Sequence, residues 1–209
     1  MLEAPLPLPN SKPGRPVYPS TKHHLVIIDL VKEFETGAEI GVLRGTNLDR
    51  ILTAVPTLHM IGVDAWKHKE MQGLEGEETY KHQDMRQLEK LARGVAIKHK
   101  GRCEIVKGES LEVAKTIEDE SLDFVFIDAS HTTPDVIADI LAWAPKVKET
   151  GLIIGHDWWF PSVREALEEV APGWERHEHS VWSLPKSEYR VAAEEPDTDA
   201  GAHEEKALD

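Results

Sequence analysis

The sequence is short of several things, and each shortage removes a class of answer. It has one cysteine, Cys103, among 209 residues. No intramolecular disulfide can form, and a structural zinc site built on cysteines is excluded. Set within Arg102-Cys103-Glu104-Ile105-Val106, that thiol reads as a packed strand residue. No apolar run reaches the roughly 20 residues that a membrane-spanning helix needs. The N-terminus lacks the basic-then-apolar order of a secretion signal, so a reducing, cytoplasmic setting is expected. Positive charge is also scarce. Lys and Arg number 24 against 38 Asp and Glu, a formal net charge of −14. Such a chain is poorly suited to coating nucleic acid or an anionic membrane surface. No basic patch stands out, and the nucleobase-methylation motif Asn-Pro-Pro-Tyr is absent. A small molecule is the expected partner. Oligomeric state, including a homo-oligomer, stays open.

What is present is enough hydrophobic sequence, 40% of the chain, for one folded domain with a substantial core. Residues 1–20 hold six of the thirteen prolines and read as an extended arm. Residues 21–186 form the expected domain. From 187 to 209 the chain has eight acidic and two basic residues and no apolar period, which reads as a solvated tail.

Within the domain, helical and strand patterns alternate. Thr21 caps a helix from about Lys22 to Phe34. Strands are expected at Ala38–Val42, Leu58–Asp64, Arg102–Lys107, Ser121–Ile127 and Gly151–Ile154. Helices fall at Asn47–Ala54, about Glu77–Ala92, Leu111–Ile117, Pro134–Trp143 and Ser162–Val170, with a loop over 66–78. A closing hairpin spans Trp174–Leu184. This alternation predicts an α/β fold, a doubly wound and mostly parallel sheet with helices on both faces.

Chemistry in such sheets sits beyond the carboxyl ends of the strands. Five segments occupy that position: Gly41 to Thr46, Asp64 to Trp66, Gly108-Glu109-Ser110, Asp128 to His131, and Gly155-His156-Asp157. Glu39-Ile40-Gly41-Val42-Leu43-Arg44-Gly45-Thr46 carries two glycines four apart at a strand-to-helix turn, where the backbone can approach a ligand closely. A Thr-Asn pair follows that can cap the helix, and a helix start favours an anionic or carboxylate-bearing ligand. Asp64, ending the next strand, is placed as ribose-binding acids are in doubly wound sheets, or it caps a turn. Asp128 and Asp157 end strongly apolar strands. If those strands are neighbours, the carboxylates are close enough to share a divalent cation such as magnesium. Otherwise one faces cofactor and the other orients a histidine. His131 and His156 are the imidazoles placed at this edge, suited to taking a proton from a hydroxyl. The other nine histidines, His23 and His99 among them, read as surface residues. Trp158-Trp159-Phe160 either wall a pocket or pack the last helix, and Trp66 either lies against a flat base or packs.

Together these residues resemble a class I S-adenosylmethionine-dependent methyltransferase over about residues 22 to 185. The ordered set is Glu39-x-Gly41-x-x-x-Gly45, Asp64, Gly108-Glu109-Ser110, Phe126-Ile127-Asp128-x-x-His131 and Gly155-His156-Asp157. It is most similar to the subgroup of small-molecule and sugar O-methyltransferases and relatives of cephalosporin hydroxylase. The resemblance implies a Rossmann-like sheet of seven strands with the last antiparallel, and S-adenosylmethionine as cofactor. It implies that Gly41, Gly45 and Thr46 hold the methionine part, with Glu39 reaching its ammonium through water. Asp64 would take the ribose hydroxyls. Gly108, Glu109 and Ser110 would border the adenine, with Trp66 near its face, and Asp128 would lie beside the transferring methyl. The implied reaction is O-methylation of a small-molecule hydroxyl, with His131 or His156 as base or with a metal at Asp128 and Asp157. Where the subgroup has Gly-Asp before its histidine, this chain has Ala129-Ser130, which removes one candidate metal ligand. A nicotinamide oxidoreductase would need Gly-x-Gly-x-x-Gly, and position 43 is Leu. A methyltransferase-like binding module without activity is the remaining alternative.

Overall fold

The computed structural model describes residues 22–67 and 83–190. The arm at 1–20, Thr21, most of the expected loop at 66–78 and the tail beyond 190 lie outside the described residues.

Seven strands form one sheet. They are β1 (Thr36–Ile40), β2 (His59–Asp64), β3 (Cys103–Lys107), β4 (Leu122–Ile127), β5 (Val147–Gly155), β6 (Glu175–Arg176) and β7 (Trp182–Pro185). Their order across the sheet is β3-β2-β1-β4-β5-β7-β6. The five strands from β3 to β5 run parallel, while β7 is antiparallel to both β5 and β6. The expected sheet, with its last strand reversed, is therefore the observed one. The six α-helices among the described residues are α1 (His23–Val31), α2 (Thr46–Ala54), α3 (Met85–Lys98), α4 (Ser110–Ala114), α5 (Thr133–Trp143) and α6 (Pro161–Val170).

The sheet separates two cores, as expected for strands buried on both faces. On one side Val125, Ile127 and Ile153 pack with Val136, Ile140 and Trp143 of α5 and Val163, Ala166 and Leu167 of α6. On the other, Phe124, Phe126 and Ile154 pack with Ile27 and Val31 of α1, Leu48, Ile51 and Leu52 of α2, and Leu88 and Ala92 of α3. Cys103 is partly buried against this second core, and burial pushes its thiol up to about 11, so it is an inert packing residue. Tyr189 is buried in the first core, so packing continues past the expected boundary at residue 186.

Two helices differ from the sequence reading. The pattern places a helix from about Glu77 to Ala92, and its expected start lies outside the described residues. The described helix α3 begins at Met85, where the Asp84 side chain accepts from the amides of Arg86 and Gln87, and it runs to Lys98. Gly94 lies inside this helix, with open space around it. Helix α2 starts at Thr46 with Gly45, at φ 79°, as its N-cap, so neither Thr46 nor Asn47 serves as the expected side-chain cap.

The strand order reverses between β1 and β4, and there the two chains leave the sheet side by side. Gly41, at φ +93°, makes this exit possible: a Cβ on it would lie 2.1 Å from the Asp128 carbonyl oxygen. Gly41→Ala is expected to lower stability by at least about 2 kcal/mol, combining a left-handed backbone with a backbone clash. Chemical denaturation reads this directly, and a midpoint equal to wild type would refute the account of the switch point.

Candidate active site

Residues just past the strand ends remain tied to the neighbouring strand. The Gly41 amide donates to the Val63 carbonyl at 2.9 Å, Gly108 to Asp64 at 3.0 Å, Asp128 to Ile40 at 2.8 Å and His156 to Ile127 at 3.1 Å. The first residue of each functional loop is thus held by the sheet itself. Since β4 and β5 pair in register, with Ile127 opposite Gly155, Asp128 and the His156-Asp157 pair are brought together as the spacing suggested.

One half of the rim is the glycine bend. Asp64 Oδ2 accepts from the Leu43 amide at 2.8 Å and its Oδ1 from the Trp66 amide at 2.7 Å. Both amides belong to residues with left-handed backbones, Leu43 at φ 53° and Trp66 at φ 44°. Asp64 therefore does cap a turn. Each oxygen keeps a lone pair for a further donor, so this does not compete with holding a sugar diol. Trp66 is 5% exposed, and its Nε1 donates to the Leu43 carbonyl at 2.7 Å. Its indole is thus placed beneath the bend as a brace rather than offered as an open stacking face.

Glu39 is buried beside the same bend, at 2% exposure. Its Oε1 accepts from Asn47 Nδ2 at 3.3 Å, while Glu39 Oε2 and Asn47 Oδ1 are buried with no hydrogen-bond partner among the described residues. Burial, reinforced by the negative charges of Asp128 and Asp64, pushes the Glu39 carboxyl up to about 8 against the Asn47 hydrogen bond. Two buried polar oxygens without partners fit a ligand that brings an ammonium, whose charge would favour the ionised carboxylate, or a water. Thr46 is exposed at the mouth of the bend, next to the buried Gly45.

The Gly108-Glu109-Ser110 segment leads from β3 into α4. Ser110 Oγ donates to Asp139 Oδ1 at 2.5 Å and accepts from Trp143 Nε1 at 2.8 Å. Its hydroxyl is turned into the protein, and it fastens the segment to α5. Glu109 is exposed and pairs with Lys67 at 2.6 Å.

The other half of the rim gathers carboxylates and imidazoles. His131 Nε2 lies 2.9 Å from Asp157 Oδ2. His156 Nδ1 faces Asp128 Oδ1 at 3.4 Å and Asp157 Oδ1 at 3.2 Å, while its Nε2 lies 3.1 Å from the His179 carbonyl oxygen. Carboxylates and carbonyls only accept, so His156 carries a proton on both nitrogens. Burial opposes that charge, but Asp128 and Asp157 outweigh it and push the imidazole up to about 10. A group so paired favours its charged form, which weighs against its acting as a proton acceptor. Burial likewise works against the charged forms of His131 and Asp157. Their mutual pairing, joined by His156 on Asp157, still holds the His131 imidazole above its ordinary value and the Asp157 carboxyl well below its own. Asp157 itself has φ 60°, and Trp159 Nε1 donates to its Oδ1 at 2.9 Å. Phe160 stacks on the His131 ring with centroids 4.9 Å apart, and Trp159 on Phe160 at 4.0 Å. The cavity behind this cluster is about 10 Å³, room for no more than a water, so any larger partner must approach from the rim.

Two site residues escaped the sequence reading. Asn47 is one. The other is His23, read as a surface residue. Its ring lies 4.5 Å from that of His156, and burial followed by the His156 charge pulls it down to about 4. A signal for it existed: a helix leading into β1 must begin at the carboxyl edge of the sheet. His99 was also misread. It is buried, with Nε2 2.6 Å from Asp49 Oδ1.

This sheet order, glycine bend and acidic second strand define a Rossmann-like methyltransferase architecture. The comparison with protein families agrees: residues 38–158, more than half the chain, match the family described as a methyltransferase domain, and the chain belongs to that family. Among solved structures, the O-methyltransferase from Bacillus cereus in complex with SAH has a TM-score of 0.57 at 16% identity, covering 81% of this chain and 84% of that one. The O-methyltransferase TomG from Streptomyces achromogenes, involved in tomaymycin synthesis and in complex with SAM, has a TM-score of 0.56 at 14% identity, covering 79% and 80%. These likenesses are of fold. An uncharacterized protein of Sinorhizobium fredii is 32% identical over 95 residues, 46% of this chain, and the match spans a tenth of that protein's length. No helix among the described residues is long and apolar enough to cross a membrane.

The buried carboxyl of Glu39 makes stability depend on pH. Below about 4.5, its ordinary value, it is protonated in folded and unfolded chains alike and carries no penalty. Above that the unfolded chain releases its proton, whereas the buried group holds its own until about pH 8, so stability falls across this window. Glu39→Gln is expected to unfold at a higher temperature than wild type at pH 8 without added ligand, roughly 1.4 kcal/mol for each unit of displacement. The gap should close towards pH 4.5, and thermal scans at both pH values check it.

Proposed function

We propose that the chain transfers a methyl group from S-adenosylmethionine to a hydroxyl of a small molecule. The observation that carries this reading is the pair of unpartnered acceptors, Glu39 Oε2 and Asn47 Oδ1, buried beside the Gly41–Gly45 bend. A methionine ammonium supplies the donors these oxygens lack, and Asp64 presents two oxygens on the next strand for a ribose diol. Gly41, Gly45 and Thr46 line the methionine side, and Gly108 with the backbone of Glu109 and Ser110 borders the base. Asp128, next to the strand reversal, faces the reacting centre, where its carboxylate favours a sulfonium cation.

The acceptor side is then Asp128, His131, His156 and Asp157. The chain's contribution is mainly orientation, because the cofactor brings the reactive group. His156, a fixed imidazolium, holds Asp128 and Asp157 in place. The Phe160 ring and Asp157 fix His131 at the point where the acceptor oxygen must lose its proton. Asp128, His131 and Asp157 are also the residues that would hold a divalent ion. Such an ion, when bound, lowers the pKa of a hydroxyl beside it.

Calorimetry with S-adenosylhomocysteine tests the cofactor half. Binding by wild type and a loss of about tenfold or more in Asp64→Asn are expected, about 1.4 kcal/mol for each tenfold. The absence of heat with wild type would end the reading. The acceptor half is tested by scoring S-adenosylhomocysteine release across phenolic, catecholic and sugar hydroxyls. His131→Ala should lower turnover about 100-fold while leaving S-adenosylhomocysteine affinity unchanged. Full activity in that variant would remove His131 from the mechanism.

A further inference from the structure

Among the described residues, five buried side-chain polar atoms have no hydrogen-bond partner, one each on His23, Glu39, Asn47, His131 and Tyr189. Tyr189 lies in the first core, and the other four belong to the carboxyl rim. Glu39 and Asn47 stand in the half read as the cofactor side. His131 Nε2 at least has Asp157 Oδ2 2.9 Å away. His23 Nδ1 is left. A buried nitrogen without a partner costs stability, and a phenyl ring would fill the same space without that cost. The place of His23 in the fold points to a use for it. His23 sits on the first turn of α1, and α1 packs on the turn at Glu178–Ser180. That turn supplies the His179 carbonyl oxygen, 3.1 Å from His156 Nε2. The His23 ring lies 4.5 Å from the His156 ring, and it stacks on Phe126 with the two planes 16° apart. Its neighbour His24 is engaged elsewhere, with Nδ1 3.2 Å from an Arg50 nitrogen.

The imidazoles of this rim differ in character. His131 and His156 face carboxylates which, against burial, favour their charged forms. His23 is the reverse. Burial, then the charge of His156, holds it neutral against the pull of Asp128 and Asp157. A neutral imidazole has one N–H and one lone pair, and a hydroxyl both donates and accepts. A hydroxyl therefore meets Nδ1 whichever ring nitrogen carries the proton. An ammonium only donates, and it would stand as a second cation beside His156.

We propose that His23 is a substrate-contacting residue, its Nδ1 hydrogen-bonding the hydroxyl of the methyl acceptor and so orienting that oxygen towards the sulfonium. The proposal rests on the reading of the chain as a hydroxyl methyltransferase. It gives His23 no proton to take, only an oxygen to orient. The test uses the full chain, labelled with nitrogen-15 and saturated with S-adenosylhomocysteine. Phenol, catechol and methyl glucoside are titrated separately, and the histidine ring nitrogens are followed by long-range proton–nitrogen spectra. The signals missing from His23→Phe identify His23. At least one of the three compounds is expected to move the His23 Nδ1 signal. That compound should bind His23→Phe about fivefold or more weakly, while S-adenosylhomocysteine affinity is unchanged. His23→Asn, whose amide lies where Nδ1 stood, should bind it close to wild type. His23→Gln, whose amide reaches the place of Nε2, should bind it as weakly as the phenylalanine variant. Should His23→Phe fail to fold, the asparagine and glutamine variants carry the comparison. An Nδ1 signal unmoved by all three compounds, equal binding by the asparagine and glutamine variants, or a loss of S-adenosylhomocysteine affinity with the His23 ring each overturns the proposal. S-adenosylhomocysteine that binds while all three compounds leave His23 untouched sinks this proposal only. Its failure to bind wild type sinks the methyl-transfer reading, and this proposal with it.

Discussion

The site depends on hydrogen bonds that continue the parallel ladder one residue beyond the strands. Gly41, Gly108, Asp128 and His156 all donate their amides to the neighbouring strand. A loop that leaves a sheet freely would scatter its side chains. Here the first residue of each loop shares the rigidity of the core beneath it, so the functional groups inherit the strand spacing of about 5 Å. The reversal of strand order between β1 and β4 opens the crevice, and the missing Cβ of Gly41 lets the two backbones pass. Precise placement of this kind is what methyl transfer asks of a protein whose cofactor carries the reactive group.

Above that foundation the rim carries backbone strain. Leu43, Trp66 and Asp157 all hold left-handed conformations without being glycine, each costing on the order of 1–3 kcal/mol. The compensations are local. Asp64 accepts the amides of the two strained residues in the glycine bend, the Trp66 indole closes onto the Leu43 carbonyl, and Trp159 donates to the Asp157 carboxylate. The same contacts aim the functional groups. Asp64 cannot turn without releasing two amides, and Asp157 is held with one oxygen facing His131. Shape and strain are therefore one arrangement, and the second observation explains why the first persists.

Much of this was legible in the sequence because it follows from backbone demands. Glycines at a strand-to-helix turn, an acid ending the next strand and apolar runs ending in Asp128 and His156-Asp157 are local signals, and the sheet order follows from alternation and packing. What escaped depends on side chains meeting across the fold. Ser110 sat at the expected helix start, but its hydroxyl turns inward to Asp139 and Trp143, partners about thirty residues away. His23 looked like one more polar residue on a surface helix until the antiparallel run of α1 brought its first turn against His156. The charge state of His156 is set by two carboxylates and the carbonyl of His179, none of which spacing alone could assign to it. Helix α3 runs on to Lys98, past the expected end at Ala92, because no proline or capping side chain interrupts it between those positions.

These two kinds of legibility map onto the two halves of the site. The half read as the cofactor side is built from backbone: a bend, a helix start, and an acid clamped by amides. Its chemistry is nearly fixed once the fold is fixed. The half read as the acceptor side is built from side chains on two loops, braced by an aromatic stack of His131, Phe160 and Trp159. Substitutions there change chemistry without touching the ladder that supports them. Ala129-Ser130 is an example: Ser130 Oγ donates to Asp135 at 2.6 Å and joins the start of α5 instead of offering a carboxylate to the rim. At the rim itself His131 then stands beside Asp128 and Asp157. A fold that holds its loops by their first residues can in this way exchange the side chains of its rim while keeping the place where, on the proposed function, a sulfonium would lie. In the proposed reaction that positive charge would be gone once the methyl group had left, and with it part of the attraction to Asp128, so the same carboxylate that favours the charged cofactor would hold the spent one less strongly.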